Sequence, residues 1–330
     1  MNKICISTPA IDIIPDEQFK IQMNQKVLPY LQSIRQHGCL PISGSGALYY
    51  EFYRPLAPIG AVVISHGYCE SAEKYKEVIY YFTQAGYEVY IPEHRGHGRS
   101  FRETAHPNMV HVSDFNNYVT DLHTFINTIV RPCTGDLPLY LFAHSMGGAI
   151  GALYLETYPG TFVRAVLSAP MLALSMKPLP IPCAIALGRI MICLHRDGTY
   201  APGQHAFSPG RNFEKSGCSG PERFYFYQEK KESFPCFQNS GSSYGWAYHS
   251  LTACRRITQK RNCDKITAPV LVFRSLDDGV VEPSGILRFV RNTPSSRQID
   301  FKGSRHEIYN SPAHVLKSYY QDIFKFLTET

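Results

Sequence analysis

The chain has 330 residues, 44% of them hydrophobic and 18% charged. That is enough to bury a sizeable core and excludes whole-chain disorder. Its 24 Gly and 23 Pro follow no period, so a collagen-like or low-complexity chain is excluded, and no run nears the ~18 uninterrupted apolar residues of a membrane-spanning helix. The net charge is +6, and residues 255–305 alone, with 11 Lys/Arg against 5 Asp/Glu, account for all of it. With no nucleic-acid motif beside it, this stretch reads as solvated surface or as a face drawn to anionic lipid, and nucleic acid is not expected as a partner.

Residues 1–36 carry Pro9, Asp12, Pro15 and Asp16, which interrupt any signal-like apolar run; no targeting segment is expected and the structure of this segment stays open. From about Gly60 short apolar runs alternate with helical periods. Residues 61–65 read as a strand ending in His66-Gly67. Residues 74–85 read as a helix with Gly86 at its C-terminal cap. A strand at 87–91 leads into a loop, 92–107. Ser113 suits the N-cap of a long helix whose apolar face runs from Phe115 to Val130. Strand 139–143, helix 146–157 and strand 163–168 follow. The alternation then stops, and about 95 residues, 171–265, look irregular. It resumes with strand 270–274, a helix opening at Pro283, a strand at 297–301 and a last helix capped by Ser311 with Pro312 at its first position.

Strands alternating with helices imply a mostly parallel sheet covered on both faces. The expected organisation is a core from 37–170 and 266–330, with 171–265 inserted as a cap over the carboxyl edge of the strands, where such folds bind ligands.

The sequence Ala143-His144-Ser145-Met146-Gly147-Gly148 falls between a strand and a helix. A tight turn there lifts a serine above the sheet at a helix N-terminus, the context of a nucleophile elbow. Ala143 stands where a glycine is usual; the plainer reading is a serine capping a glycine-rich helix start. A serine hydroxyl needs a base. His306 follows the last predicted strand by a few residues and so belongs to the carboxyl edge. His144 should turn its ring away from the serine, and His66, His94 and His97 read as structural. The base needs an orienting acid. Asp278 opens the turn into the helix at Pro283, whereas Asp277 reads as a turn former. The order Ser145, Asp278, His306 is that of one triad-bearing α/β fold. The oxyanion needs backbone donors, each worth roughly 3 kcal/mol; Met146 supplies one and Tyr68, in the loop after strand 61–65, the second. Gly44-Ser45-Gly46 lacks the third glycine and lysine of a phosphate loop and reads as a turn. Glu93 to Ser100 reads as a structural loop. The ten cysteines are scattered without a C-x-x-C, which points to reduced thiols in a cytoplasmic compartment and to no zinc or other metal site.

These residues resemble the α/β-hydrolase superfamily, in its monoacylglycerol lipase and lysophospholipase branch. The resemblance is carried by His66-Gly-Tyr-Cys-Glu70-Ser71 with Tyr75, His94 to Ser100, Ala143 to Gly148, Ser168-Ala-Pro170, Asp278-Gly-Val-Val281 and His306-Glu-Ile308. Alanine before the His-Ser-Met-Gly-Gly run is shared with bacterial lysophospholipases of the PldB type. The similarity covers about residues 40 to 330 and is weakest in the cap; Glu93 departs from the aspartate of many relatives. It implies Ser145 as nucleophile, Asp278 as acid, His306 as base, Tyr68 and Met146 as oxyanion donors, no cofactor, and a cap gating an acyl pocket.

The expected activity is hydrolysis of the acyl ester of lysophospholipids. A monoacylglycerol lipase or general carboxylesterase is the near alternative, and a catalytically idle lipid-binding protein the alternative of another class. The apolar stretch Met171 to Leu194 fits either an acyl pocket and peripheral membrane contact, or plain packing of the cap.

Overall fold

The computed structural model describes residues 9, 11–42, 46–175 and 178–329. The turn expected at Gly44, and Met176 and Lys177 of the cap, therefore lie outside the described residues. Eight strands form one sheet: β1 (Arg35–Ile42), β2 (Gly46–Tyr53), β3 (Gly60–Ser65), β4 (Tyr87–Pro92), β5 (Leu139–His144), β6 (Arg164–Ser168), β7 (Val270–Ser275) and β8 (Ser296–Phe301). Their order is β1-β2-β4-β3-β5-β6-β7-β8. β3 to β8 are parallel to their neighbours, and β1 and β2 join antiparallel at one edge.

The helices are α1 (Phe19–Gln22), α2 (Leu28–Ile34), α3 (Lys76–Gln84), α4 (Asn116–Phe125), α5 (Arg131–Thr134), α6 (Met146–Thr157), α7 (Ile181–Cys193), α8 (Pro221–Ser233), α9 (Tyr244–Ile257), α10 (Lys260–Cys263), α11 (Pro283–Asn292) and α12 (Ala313–Thr328). One apolar layer, including Phe115, Leu122, Ile150, Ile257 and Phe289, packs α4, α6, α9 and α11 on one face of the sheet. The other, including Val27, Phe82, Tyr319 and Phe324, packs the N-terminal helices, α3 and α12 on the opposite face. The central strands are buried along their whole length, which is why they read as continuous apolar runs. No helix among the described residues is long and apolar enough to cross a membrane.

The structure departs from the sequence expectations in four places. The β1–β2 hairpin precedes the first strand expected. The stretch 171–265 is helical over α7, α8, α9 and α10 rather than irregular. Ser113 does not cap α4: the helix opens at Asn116, whose N–H donates to the Asp114 carboxylate at 2.9 Å. Nor does Ser311 cap α12. The Ala313 N–H donates to both carboxylate oxygens of Asp16, each at 3.1 Å, so the acceptor comes from the other end of the chain.

Asp16 also accepts from Arg223 of α8. The Arg223 guanidinium is buried, donates twice to Glu77 at 2.9 and 2.8 Å and once to the Ile14 carbonyl at 3.1 Å, and lies 4.6 Å over the Phe19 ring. One side chain thus ties the N-terminal segment and α8 to α3 of the core. Such a bidentate, desolvated pair is costly to break on one side, because the partner charge stays buried.

The loops at the carboxyl edge are held by uncharged histidines. The His66 Nδ1–H donates to the Gly67 carbonyl at 2.8 Å, leaving Nε2 to accept the His94 N–H at 2.9 Å. The His94 Nε2 meets the Ser65 hydroxyl at 2.9 Å, and His97 Nδ1 the Arg95 carbonyl at 3.0 Å. Burial lowers His66 to about 4, and lowers His94 and His97 well below the usual histidine range, with neighbouring rings adding to the shift. His144, at the end of β5, is likewise lowered by burial to about 4.

Two outcomes follow from this packing. Arg223→Ala should cost about 3–5 kcal/mol of stability, read as a lower urea midpoint at unchanged slope; a loss under about 1 kcal/mol would mean the guanidinium holds nothing. For pH, the four histidines are neutral when folded and protonate near 6.5 when unfolded. As pH falls from 6.5 toward 4 the unfolded chain binds more protons, so stability falls, by up to roughly 1.4 kcal/mol per pH unit for each histidine. Glu93 and Glu156 work the other way: burial raises their carboxyls to about 7 and about 8, so they take protons in the folded state first and offset part of the histidine effect. The urea midpoint measured from pH 7 to pH 4.5 should drop steeply, and a flat profile would contradict the neutral-histidine arrangement.

Candidate active site

The turn between β5 and α6 places Ser145 at φ 51°, ψ −118°. A non-glycine residue is held there only where the surroundings enforce it. The Ser145 N–H donates to the Ser168 carbonyl at 3.1 Å, and its carbonyl accepts from Met171 N–H at 2.8 Å and Ala149 N–H at 3.1 Å. Close approach of α6 to β3 does the rest: a Cβ at Gly147 would sit 2.0 Å from the Ser65 carbonyl oxygen, and one at Gly148 2.6 Å from the Pro170 Cβ. Ala143, the departure from the usual glycine, is matched one helical turn further on. A Cβ at Gly151 would meet the Ala143 methyl at 3.2 Å and Leu141 at 2.9 Å. Gly151 thus gives the methyl its room, a pairing that sequence reasoning did not anticipate.

Three side chains distant in the chain meet above this turn. His306 Nε2 lies 2.7 Å from Ser145 Oγ, and His306 Nδ1 lies 2.7 Å from Asp278 Oδ2. Asp278 Oδ1 accepts the Val280 and Val281 N–H groups at 2.8 and 3.1 Å. Burial works to raise the Asp278 carboxyl, but His306 and the two amides outweigh it and hold it below the usual range. Asp277 stands apart from this contact; its carboxylate accepts the Gly303 N–H at 3.3 Å. The His144 Nδ1–H donates to the Ser168 carbonyl at 3.1 Å, away from the Ser145 hydroxyl, yet its ring packs 4.9 Å from the His306 ring. That contact with the His306 ring was not foreseen.

The loop after β3 carries Tyr68, and Met146 opens α6, where a first-turn N–H has no intrahelical acceptor. Glu70 shapes this loop from within. It is buried, accepts the Gly67 N–H at 2.6 Å, the Tyr75 and Tyr309 hydroxyls at 2.6 Å each, and the Lys74 ammonium at 2.9 Å. Burial would raise its carboxyl, but Lys74, His144 and the two phenols together hold it well below the usual range. Cys69, inside the same loop, has φ 57°, a second strained position.

A cavity of about 370 Å3 opens from Ser145. Its walls include Tyr68, Met171, Leu174, Leu179, Trp246 and Val281, with Tyr68 and Trp246 rings 4.5 Å apart. Leu174 and Leu179 of the expected apolar stretch thus line the cavity, Met171 and Leu172 are buried in the core, and Ile190 and Leu194 are exposed. Chemically, a hydroxyl bonded to an imidazole, a free helix N-terminus and an apolar cavity suit attack on an acyl carbonyl.

Residues 57–313 match the Hydrolase_4 family model, described as serine aminopeptidase, S33. The chain is 29% identical over 285 residues to the monoacylglycerol lipase of Mycolicibacterium smegmatis, covering 85% of this chain and 93% of that protein. It is 30% identical over 263 residues to lysophospholipase L2 of Escherichia coli, covering 75% of this chain and 74% of that protein. Among solved structures, the monoacylglycerol lipase of Paleococcus ferrophilus aligns with a TM-score of 0.65 at 24% identity, over 85% of this chain and 98% of that one. A carboxyl esterase from Bacillus coagulans aligns at 0.73 and 18% identity, over 89% of this chain and 98% of that one; at such identities these likenesses speak for the fold. The chain belongs to the Hydrolase_4 (S33) family of α/β-hydrolases, in the branch of monoacylglycerol lipases and lysophospholipases.

Proposed function

We propose that this protein is a serine esterase that hydrolyses the acyl ester of single-chain glycerolipids, lysophospholipid foremost and monoacylglycerol as the second reading, by way of an acyl-enzyme. The observation that carries the reading is the 2.7 Å contact of His306 Nε2 with Ser145 Oγ. In this reading His306 takes the Ser145 proton as Oγ attacks the acyl carbon, and Asp278 stabilises the imidazolium. The carbonyl oxygen becomes an oxyanion, held by the Tyr68 and Met146 amides. The carbon–oxygen bond to the glycerol breaks as His306 returns the proton to that oxygen. Water, deprotonated by His306, then attacks the acyl carbon, and the fatty acid leaves as Ser145 regains its proton. No cofactor enters any step.

The family description names an aminopeptidase, whose substrate presents an ammonium group close to the scissile carbonyl. The cavity beside Ser145 presents no carboxylate among the described residues, and its walls are mostly aliphatic and aromatic. A cationic end would be desolvated there without a partner, whereas an acyl chain gains about 0.8 kcal/mol per buried CH2. The relatives named as lipases and lysophospholipases support the same choice.

Pro178 and Leu179, in the wall of the cavity, lead directly into α7. That helix carries apolar residues around its circumference but buries only Ala184 and Gly188, with Ile190 and, just beyond it, Leu194 more than half exposed. We assign this face to peripheral contact with the cytoplasmic surface of a membrane, the basic stretch 255–305 adding attraction to anionic headgroups. The nine described cysteines are free thiols, in keeping with a reducing compartment.

Ser145→Ala should lower fatty-acid release by about 10^4-fold or more, and abolish fluorophosphonate labelling, with an unchanged circular dichroism spectrum. A wild-type protein that is folded yet neither labels nor turns over would instead be a lipid-binding relative without catalysis. For the membrane contact, Ile190→Asp with Leu194→Asp should reduce co-sedimentation with anionic vesicles by about tenfold while sparing turnover of a short soluble ester. Equal sedimentation of both proteins would remove α7 from the docking face.

A further inference from the structure

Part of the cap wall of the cavity is carried by two segments, the chain at Ala201 and the start of α9 with Ser242 and Trp246. The Ala201 N–H donates to the Ser242 carbonyl at 2.9 Å, which joins the two. Each N–H at the start of α9 has an acceptor. Ser243 N–H donates to the Val110 carbonyl at 3.0 Å, Tyr244 N–H to Thr199 at 3.0 Å and Gly245 N–H to Asp197 at 2.9 Å. Trp246 N–H donates to the hydroxyl oxygen of Ser243, the N-cap, at 3.0 Å. The Trp246 indole Nε1 has no hydrogen-bond partner among the described residues, so the ring takes its place from packing and from its backbone.

A side chain of the core meets this turn. His111 is buried, with Nδ1 2.8 Å from the same Ser243 oxygen. A Cβ at Gly245 would lie 2.8 Å from His111 Cε1, so the glycine lets the helix start seat against the ring. Burial lowers His111 below the usual histidine range, which keeps the ring neutral at pH 7. Its Nε2 lies 3.9 Å from a carboxylate oxygen of Glu103 in the core and 3.9 Å from one of Asp197 in the cap. Two carboxylates favour an N–H at that nitrogen, so Nδ1 is left to accept the Ser243 hydroxyl.

We infer that His111 is a positioning residue for acyl-chain recognition: through the Ser243 hydroxyl it holds Trp246 in place as a wall of the acyl cavity. The inference deepens the esterase reading given above and rests on it. Each link is a direct contact. His111 bonds Ser243, Ser243 holds the Trp246 amide, and Trp246 shares the cavity wall with Ser145, its ring 4.5 Å from that of Tyr68. A serine hydroxyl has several staggered rotamers, and the bond to His111 selects the one that caps α9. Without it the cap weakens, the first turn frays and the indole drifts from the wall. A long acyl chain runs along that wall and loses contact; a two-carbon acyl group loses little.

The chain has one tryptophan, which reports its own position. His111→Leu should shift the Trp246 emission to longer wavelength as the indole gains water. It should also lower kcat/KM for a decanoyl ester about fivefold relative to an acetyl ester of the same alcohol, chiefly through KM. His111→Asn, whose side-chain oxygen can accept the Ser243 hydroxyl as Nδ1 does, should restore both. Ser243→Ala should reproduce the loss, and the double variant should be no worse than either single one. A chain preference that does not move in His111→Leu, or losses that add in the double variant, overturns the inference. Should His111→Leu not fold, Ser243→Ala and His111→Asn carry the same comparison, loss in the first and retention in the second. A fluorescence titration that needs no turnover accompanies this. Decanoate should quench the Trp246 emission of the Ser145→Ala protein and bind about fivefold more weakly once Ser243→Ala is added. Equal binding by the two proteins overturns the positioning role. Failure of the wild-type protein to cleave either ester would sink the esterase reading, while the titration would still decide whether this contact sets the Trp246 wall.

Discussion

The arrangement at Ser145 depends on how closely α6 approaches β3. With the Ser65 carbonyl only 2.0 Å from where a Gly147 Cβ would lie, the helix can begin directly after the strand. The residue between them is forced to φ 51°. That backbone lifts the hydroxyl off the sheet and leaves the first amides of α6 without acceptors. A side chain at 147 would push the helix away, relax the turn and lower the hydroxyl out of reach of His306. The same tightness explains why Gly148 and Gly151 accompany Gly147: each lies where α6 meets Pro170 or the β5 side chains. The glycine content of this helix start, poor for helix propensity, is a packing requirement.

Around that fixed turn, the loops that bring the other groups are held by buried polar contacts. Glu70 gathers the β3 loop, the turn that leads into α3 and the segment after His306 through Gly67, Lys74, Tyr75 and Tyr309. His66 and His94 tie the β3 loop to the β4 loop by hydrogen bonds, and the one accepted by His66 Nε2 needs a neutral ring. Such networks cost little when every member is satisfied and much when one is removed. They therefore fix positions well, and the strained residues Cys69 and Ser145 sit next to them.

Much of this was legible in the sequence, for physical reasons that also mark where legibility ends. The parallel strands are buried on both faces, so each reads as an unbroken apolar run between turn residues. The three residues singled out at the carboxyl edge are the ones that meet there, because strand ends and chain order restrict which loops can converge. The β1–β2 hairpin escaped because it is an edge feature with mixed burial, interrupted by Gly38 and Pro41. The cap helices escaped for opposite reasons. α7 is apolar on all sides, and the aromatic and charged residues of α8 hide its periodicity. The capping of α12 by Asp16 could not be read locally, since its two partners are 297 residues apart. Gly151 was overlooked because its role is to make space for Ala143, which no local pattern records.

The loop after β3 also separates two electrostatic environments. On one side Tyr68 and Trp246 border an apolar cavity; on the other Glu70, Lys74 and Glu307 form a charged cluster. Ser145 lines the cavity, and its partner His306 immediately precedes Glu307 of the cluster. The cap borders both, with Leu179 on the cavity and Tyr227 of α8 over the Lys74 ammonium, so its packing on the core couples the apolar wall to the charged one.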